Sequence, residues 1–163
     1  MTARSKRTET AVSLFREGYS CSQAVLAAFA RDTGLERHVA LRVASGFGGG
    51  MGRMAQTCGA VSGAVMVLGL QYGPVSAQDC AGKERTYAQV REFVRRFQAR
   101  HGTVVCRELL GCDISTPEGF QRAREDQLIR TRCPRFVRNA VAILEELGAG
   151  QPAERRRVRQ RPG

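Results

Sequence analysis

The sequence predicts an all-α fold: a single-domain helical bundle of about seven helices, with a glycine-rich loop before the central helix. Three observations carry this reading. Aromatic residues make up only 6% of the chain and tryptophan is absent, while apolar residues reach 42%. The core must therefore be aliphatic and alanine-rich, which suits packed helices better than a β-sandwich. Apolar residues recur at helical spacing along most of the chain, and the run HGTVVC, residues 101–106, is the only β-like stretch. At 163 residues the chain is long enough to bury a real core as one domain.

Residues 8–17 read as a short amphipathic helix, with Thr8 as its N-cap, Val12 and Phe15 on one face and Gly18 as its stop. Ser20 caps a second helix over 21–32, whose apolar positions Ala24, Val25, Ala28 and Phe29 share a face. A third helix covers 36–45 and offers Val39, Leu41, Val43 and Ala44 for burial. The loop GFGGGMG, residues 46–52, leads into the central helix over 57–72, which Gly73-Pro74 terminates. Residues 75–82 are a connector. A long helix over 83–100 follows, with a buried stripe of Tyr87, Val90, Phe93, Val94 and Phe97 and five arginines on its solvent side. Thr103 caps a short helix, CRELLG. Thr116-Pro117-Glu118 opens the next segment with a cap, a proline at the first helical position and an acidic first turn. The last helix is expected to begin near Thr131, with Cys133 and Pro134 in its first turn, and to end at Gly148.

The formal net charge is +11, and residues 154–161, ERRRVRQR, hold five of the arginines. Residues 1–150 are read as the cysteine-containing redox domain and 151–163 as a disordered basic tail. The body lacks the aromatic interleaving of a single-strand binder, so nucleic acid is not the expected partner. The first residues, MTARSKRTETAV, have no apolar stretch of signal-peptide type, and residues 60–70 are too few to span a bilayer. The expected compartment is the cytoplasm. Six cysteines there point to metal ligation or thiol redox chemistry rather than to a static disulfide framework.

Four of the cysteines recur in one local setting. Cys21 follows Ser20, Cys58 follows Thr57, Cys106 comes shortly after Thr103, and Cys133 follows Thr131-Arg132, each at an expected helix start. A thiolate there meets free backbone N–H groups and the positive end of the helix dipole, which lowers its pKa from ~8.5. A buried small hydrophobe is the alternative reading of any one of them. No CxxC occurs, which removes zinc ribbons, the thioredoxin motif and CxxCH haem attachment together. Cys106 and Cys112 either bridge across the short helix or are one ligand and one bystander. His38 and His101 are both expected on the surface, which leaves no Cys-His dyad.

GFGGGMG fits neither GxGxxG nor GxxxxGK[ST], and no strand precedes it. Two readings stay open. The glycines permit positive φ and let the loop thread between helices. Alternatively Gly48, Gly49 and Gly50 leave space beside Cys58 for a small ligand or a cluster, with Arg53 supplying charge that favours the thiolate.

The element CGAVSG at 58–63 stands among the phrases YSCSQAVLAAF, ASGFGGGMGRM, CRELLGCDISTPEG and the Cys133-Pro134 pair. In that order they resemble the redox-active protein family named for its cysteine pattern, C-GCAxxG-C-C, over roughly residues 8–148. The label orders Gly-Cys-Ala where this chain reads Cys-Gly-Ala, so the position of Cys58 carries over and the letter order does not. The resemblance implies a mostly helical bacterial or archaeal protein with Cys21, Cys58, Cys106 and Cys133 as the family cysteines, and Cys80 and Cys112 as additions. It also implies a likeness to the non-haem part of split-Soret cytochromes.

Three functions follow as expectations. The first is thiol–disulfide chemistry without a cofactor, with Cys58 as nucleophile and Cys21, Cys106 or Cys133 as resolving partner. Its partner would be a redox protein or a small thiol or disulfide. The second is zinc or an iron–sulfur cluster held by the four cysteines. The third is a non-catalytic interaction protein. The glycine-spaced face of residues 59–70 is available to the chain's own helices or to a second copy in a homodimer.

Overall fold

A computed structural model describes residues 5–151, and the basic tail expected over 151–163 lies, after its first residue, outside the described residues. Among the described residues there are eight α-helices and no strand. They are α1 (Lys6–Arg16), α2 (Cys21–Thr33), α3 (Arg37–Ala44), α4 (Gly59–Tyr72), α5 (Cys80–His101), α6 (Cys106–Leu110), α7 (Pro117–Glu125) and α8 (Leu128–Glu146). The all-α bundle is therefore as expected. Its one trace of β pairing is an isolated antiparallel bridge between Thr57 and Val105, inside the β-like run.

Helices α2 and α4 form the centre. α4 is apolar almost all round, so it is buried by neighbours on several sides: α2, α5 and α8. Gly59 and Gly63, four residues apart, turn toward the start of α2. A Cβ at Gly63 would stand 2.7 Å from the Ser22 carbonyl oxygen, so only glycine lets the two backbones come this close. The face expected to serve either this chain or a copy is thus occupied by the chain's own α2. α1 and α8 pack together beside α2, and Phe29, Leu26, Leu68, Phe93, Phe97, Ile143 and Leu144 fill the middle. Burial of each such side chain contributes about 1.5–3 kcal/mol.

Several boundaries differ from expectation for identifiable reasons. Ser5, not Thr8, caps α1: its hydroxyl accepts the Thr8 N–H at 3.1 Å while Thr8 is buried. Asp79 caps α5 by accepting the Gly82 N–H at 2.8 Å, which places Cys80 inside the helix and not in a connector. Tyr87 is 48% exposed with the Lys83 ammonium 5.7 Å from its ring, while Phe93 and Phe97 are buried as expected. α3 buries Ala40 and Ala44 and leaves Val43 exposed. α6 is capped from Val105. Thr103 instead accepts the Val105 N–H and bonds Glu108. α8 starts three residues early, at Leu128, because Leu128 and Ile129 pack on the core. Pro134 therefore sits inside the helix, and its missing N–H leaves the Arg130 carbonyl without its usual partner.

Candidate functional site

The start of α2 is locked in place by side chains. Ser20 and Gln23 form a capping box, the Ser22 hydroxyl donates to the Ala44 carbonyl at 2.8 Å, and Gln23 donates to the Leu41 carbonyl at 2.9 Å. Cys21 is the first residue of α2. A backbone clip fixes two further cysteines. The Cys58 N–H donates to the Val104 carbonyl at 2.8 Å, and the Cys106 N–H donates to the Gln56 carbonyl at 2.6 Å. Cys58 thus becomes the N-cap of α4 and Cys106 the first residue of α6. Cys133 is the exception to the helix-start pattern: it lies in the second turn of α8.

The glycine loop closes over these elements. Residues 49–53 all have positive φ, including Met51 and Arg53 as well as the three glycines, and Ala55 follows with φ 55°. A left-handed turn of this length is disfavoured by ~1–2 kcal/mol at each non-glycine position. It is held by hydrogen bonds from the Gly52 N–H to Gly46, the Ala55 N–H to Gly49 and the Gln56 N–H to Gly50.

These pieces enclose one cavity of about 980 Å³. Cys21, Cys58, Cys106 and Cys133 line it, and so do Gly48, Gly49, Gly50 and Arg53. All four cysteines are buried and all six in the chain are free thiols. Cys112 turns away and donates its S–H to the Gly119 carbonyl at 3.1 Å, so it forms no bridge to Cys106. Cys80 is exposed at the start of α5. Arg53 stacks its guanidinium 4.0 Å above the Phe120 ring and is not among the groups acting on the Cys58 sulfur.

The electrostatics of the thiols correct the helix-start expectation. Burial pushes the Cys58 thiol up to about 12, although the N–H groups of Ala60 and Val61 pull it the other way. The helix-start effect is thus present in sign and smaller than desolvation. Burial likewise raises Cys106 to about 12, helped by its cysteine neighbours and by Asp113. Cys133 is the one lowered, chiefly by its neighbour Cys21, and the same pairing, together with burial, holds the proton on Cys21. The lowest of the four therefore belongs to the one cysteine that is not at a helix start.

Burial of Cys58 has a consequence for stability. Its folded value of about 12 lies above an ordinary value near 9, so the unfolded chain releases that proton first as pH rises. The contribution is whole below about pH 9 and is lost between about 9 and 12, at about 1.4 kcal/mol per pH unit. Urea unfolding between pH 9 and 11 should show this slope, and Cys58→Ala should reduce it by one proton's share. An equal slope in wild type and variant would count against a buried, protonated Cys58.

The two histidines part company. His38 is exposed beside Glu36 at 3.2 Å, as expected. His101 is half-buried rather than on the surface. Its ring lies between Phe97 and Phe136 and against Asn139 at 3.0 Å, and burial and the nearby Arg135 and Arg100 lower its pKa.

One protein-family model matches residues 19–147, that described as "Putative redox-active protein (C_GCAxxG_C_C)". The chain belongs to this family. The match takes in all four cavity cysteines and the glycine loop. None of the curated proteins and none of the solved structures compared matches the chain. In this C-GCAxxG-C-C protein, sequence reasoning did not single out the remaining cavity wall. Arg16 at the end of α1, Arg130 in α8, and Phe15, Phe120 and Phe136 reach the cavity only through the packing of α1, α7 and α8, and Tyr19 lines it from the α1–α2 connection. No helix among the described residues is long and apolar enough to cross a membrane.

Proposed function

We propose that this member of the redox-active family works by thiol–disulfide exchange, with Cys133 as nucleophile and Cys21 as resolving thiol. The observation that carries this is that Cys21 and Cys133 line one cavity and act more strongly on each other than on any other cysteine. That pairing favours thiolate character on one sulfur, and on this reading the second resolves the mixed disulfide formed on the first. Cys58, expected as the nucleophile, is the weaker choice because burial keeps it protonated. Cys58 and Cys106 stand by as a second pair joined through the backbone clip. The protein is on this reading a thiol–disulfide oxidoreductase whose partner is a redox protein or a small disulfide.

A cysteine-ligated zinc or iron–sulfur centre is the second reading. Four soft ligands facing one space favour it, and a cation would reverse the mutual disfavour of their thiolates. Among the described residues, however, no three His, Cys, Asp or Glu side chains are arranged to hold an ion, so this reading requires the cysteines to draw together.

Thiol counting on anaerobically purified protein, with and without reductant and alongside metal analysis, separates the two. Exchange predicts a reversible loss of two thiols per chain, mapped to Cys21 and Cys133, with no bound metal. Full thiol reactivity in air, with stoichiometric zinc or iron released on unfolding, would overturn it.

A further inference from the structure

The mouth of the cavity has a charge of one sign. Three arginines, Arg16, Arg53 and Arg130, line it, and no aspartate or glutamate does. Arg53 is engaged with the Phe120 ring. Arg16 and Arg130 are exposed, and among the described residues neither makes an ion pair or a side-chain hydrogen bond. This is unlike much of the remaining surface, where Arg7, Arg95, Arg96, Arg100, Arg107 and Arg122 each face a carboxylate within 4 Å. Other exposed arginines such as Arg85 and Arg91 are also unpaired among the described residues, so what sets Arg16 and Arg130 apart is their place on a cavity that no carboxylate lines.

The interior sets the size of the guest. Cys21, Cys58, Cys106 and Cys133 are between 3% and 9% exposed, so a disulfide held on another folded protein meets the rim before it meets sulfur. A space of about 980 Å³ suits a small molecule, and its walls are apolar where Phe15, Tyr19 and Phe136 contribute. We infer that the exchange partner is a small anionic disulfide, a molecule carrying carboxylates that the arginine mouth attracts and a central sulfur–sulfur bond that reaches the buried dithiol. This rests on the exchange reading above and names its substrate class.

The chemistry balances without a further reagent. The Cys133 thiolate attacks one sulfur of the small disulfide. The original S–S bond breaks, a mixed disulfide forms on Cys133, and one small thiolate leaves. Cys21 gives up its proton to that leaving group and attacks the Cys133 sulfur, expelling the second small thiolate, which takes a proton from water. The protein dithiol is oxidised by two electrons to a disulfide, and the small disulfide is reduced to two thiols.

Three disulfides that differ in charge test this on the full chain. Oxidised glutathione is net anionic, bis(2-hydroxyethyl) disulfide is neutral and cystamine is a dication. Each rate of Cys21–Cys133 bond formation is divided by that disulfide's rate with a free model thiol. Oxidised glutathione should exceed cystamine by about tenfold or more at low salt, and the ratio should shrink as salt screens the mouth. R16Q/R130Q should cut the ratio several-fold, while R85Q/R91Q, which removes the same charge from unpaired exposed positions on α5, should leave it. Equal rates for anion and cation, or equal effects of the two double variants, would overturn the charge assignment alone if the neutral disulfide still oxidises the pair. If no disulfide forms the Cys21–Cys133 bond, the exchange reading falls and this inference falls with it.

Discussion

In a Cys80→Ser background, Cys21→Ala is expected to slow alkylation of Cys133 at neutral pH by about tenfold to a hundredfold. Cys21→Ser should largely preserve the wild-type rate. The effect turns on one neighbour. Cys21 is the largest influence holding the Cys133 thiol below its ordinary value, against burial, which acts the other way. A hydrogen bond to a charged group contributes about 1.5–3 kcal/mol, which converts to that range of rates. Alanine removes the donor and leaves only desolvation. Serine keeps an O–H in nearly the same place, so the thiolate survives although disulfide formation does not. The readout is the pH midpoint of Cys133 labelling, mapped by mass spectrometry, and Cys80 is silenced because it is the exposed competitor. A Cys21→Ala midpoint equal to wild type would remove the pair from the mechanism.

Gly50→Ala is expected to destabilise the fold by about 3 kcal/mol and to displace Cys106. Gly50 has φ +70°, a region that costs an alanine ~1–2 kcal/mol. The new Cβ would also stand 2.6 Å from the Gln56 nitrogen, 2.8 Å from the Cys106 Cβ and 2.9 Å from the Ala55 carbonyl carbon. Two of these three atoms are backbone and belong to the clip, so the collision cannot be relieved by turning a side chain. Chemical denaturation measures the first effect. The second appears as faster alkylation of Cys106, whose protonation depends on its burial. By contrast Gly46→Ala, where a Cβ meets nothing within 4 Å, should be close to neutral. Equal stability of the Gly50 and Gly46 variants would show that the loop gives way without cost.

Much of the bundle was legible because its signals are local. Ser20 with Gln23, Thr116 with Pro117, and the stripe of Phe93 and Phe97 each carry their own reason within a turn or two of chain. Caps and the CGAVSG element marked Cys21, Cys58 and Cys106, whereas Cys133 was singled out for a helix start that the structure does not have there. What was not legible was non-local. The start of α8 was misplaced because Pro134 reads as a first-turn proline, whereas burial of Leu128 and Ile129 adds a turn ahead of it. The acidity expected of the helix-start thiols was wrong for a similar reason. A helix start can be read from sequence, but depth of burial and the Cys21–Cys133 contact depend on where separate helices meet. Asp79 and Ser5 are misses with an available signal, each an N-cap residue directly before its helix.

The clip that ties residues 56–58 to residues 104–106 has a consequence for the order in which the molecule is made. A ribosome delivers Cys21, Cys58 and Cys106 first, and the clip can close once α6 has emerged. Cys133 comes later, on the final helix. The Cys21–Cys133 contact is therefore the last part of the centre to exist, and it exists only in a chain whose eighth helix has docked. A nascent or truncated chain carries five of the six thiols, three of them from the cavity, and the loop around them, but lacks Cys133. The pairing of Cys21 with Cys133 is in this way reserved for the finished molecule, while the thiols of the incomplete one still lack the burial that α8 completes.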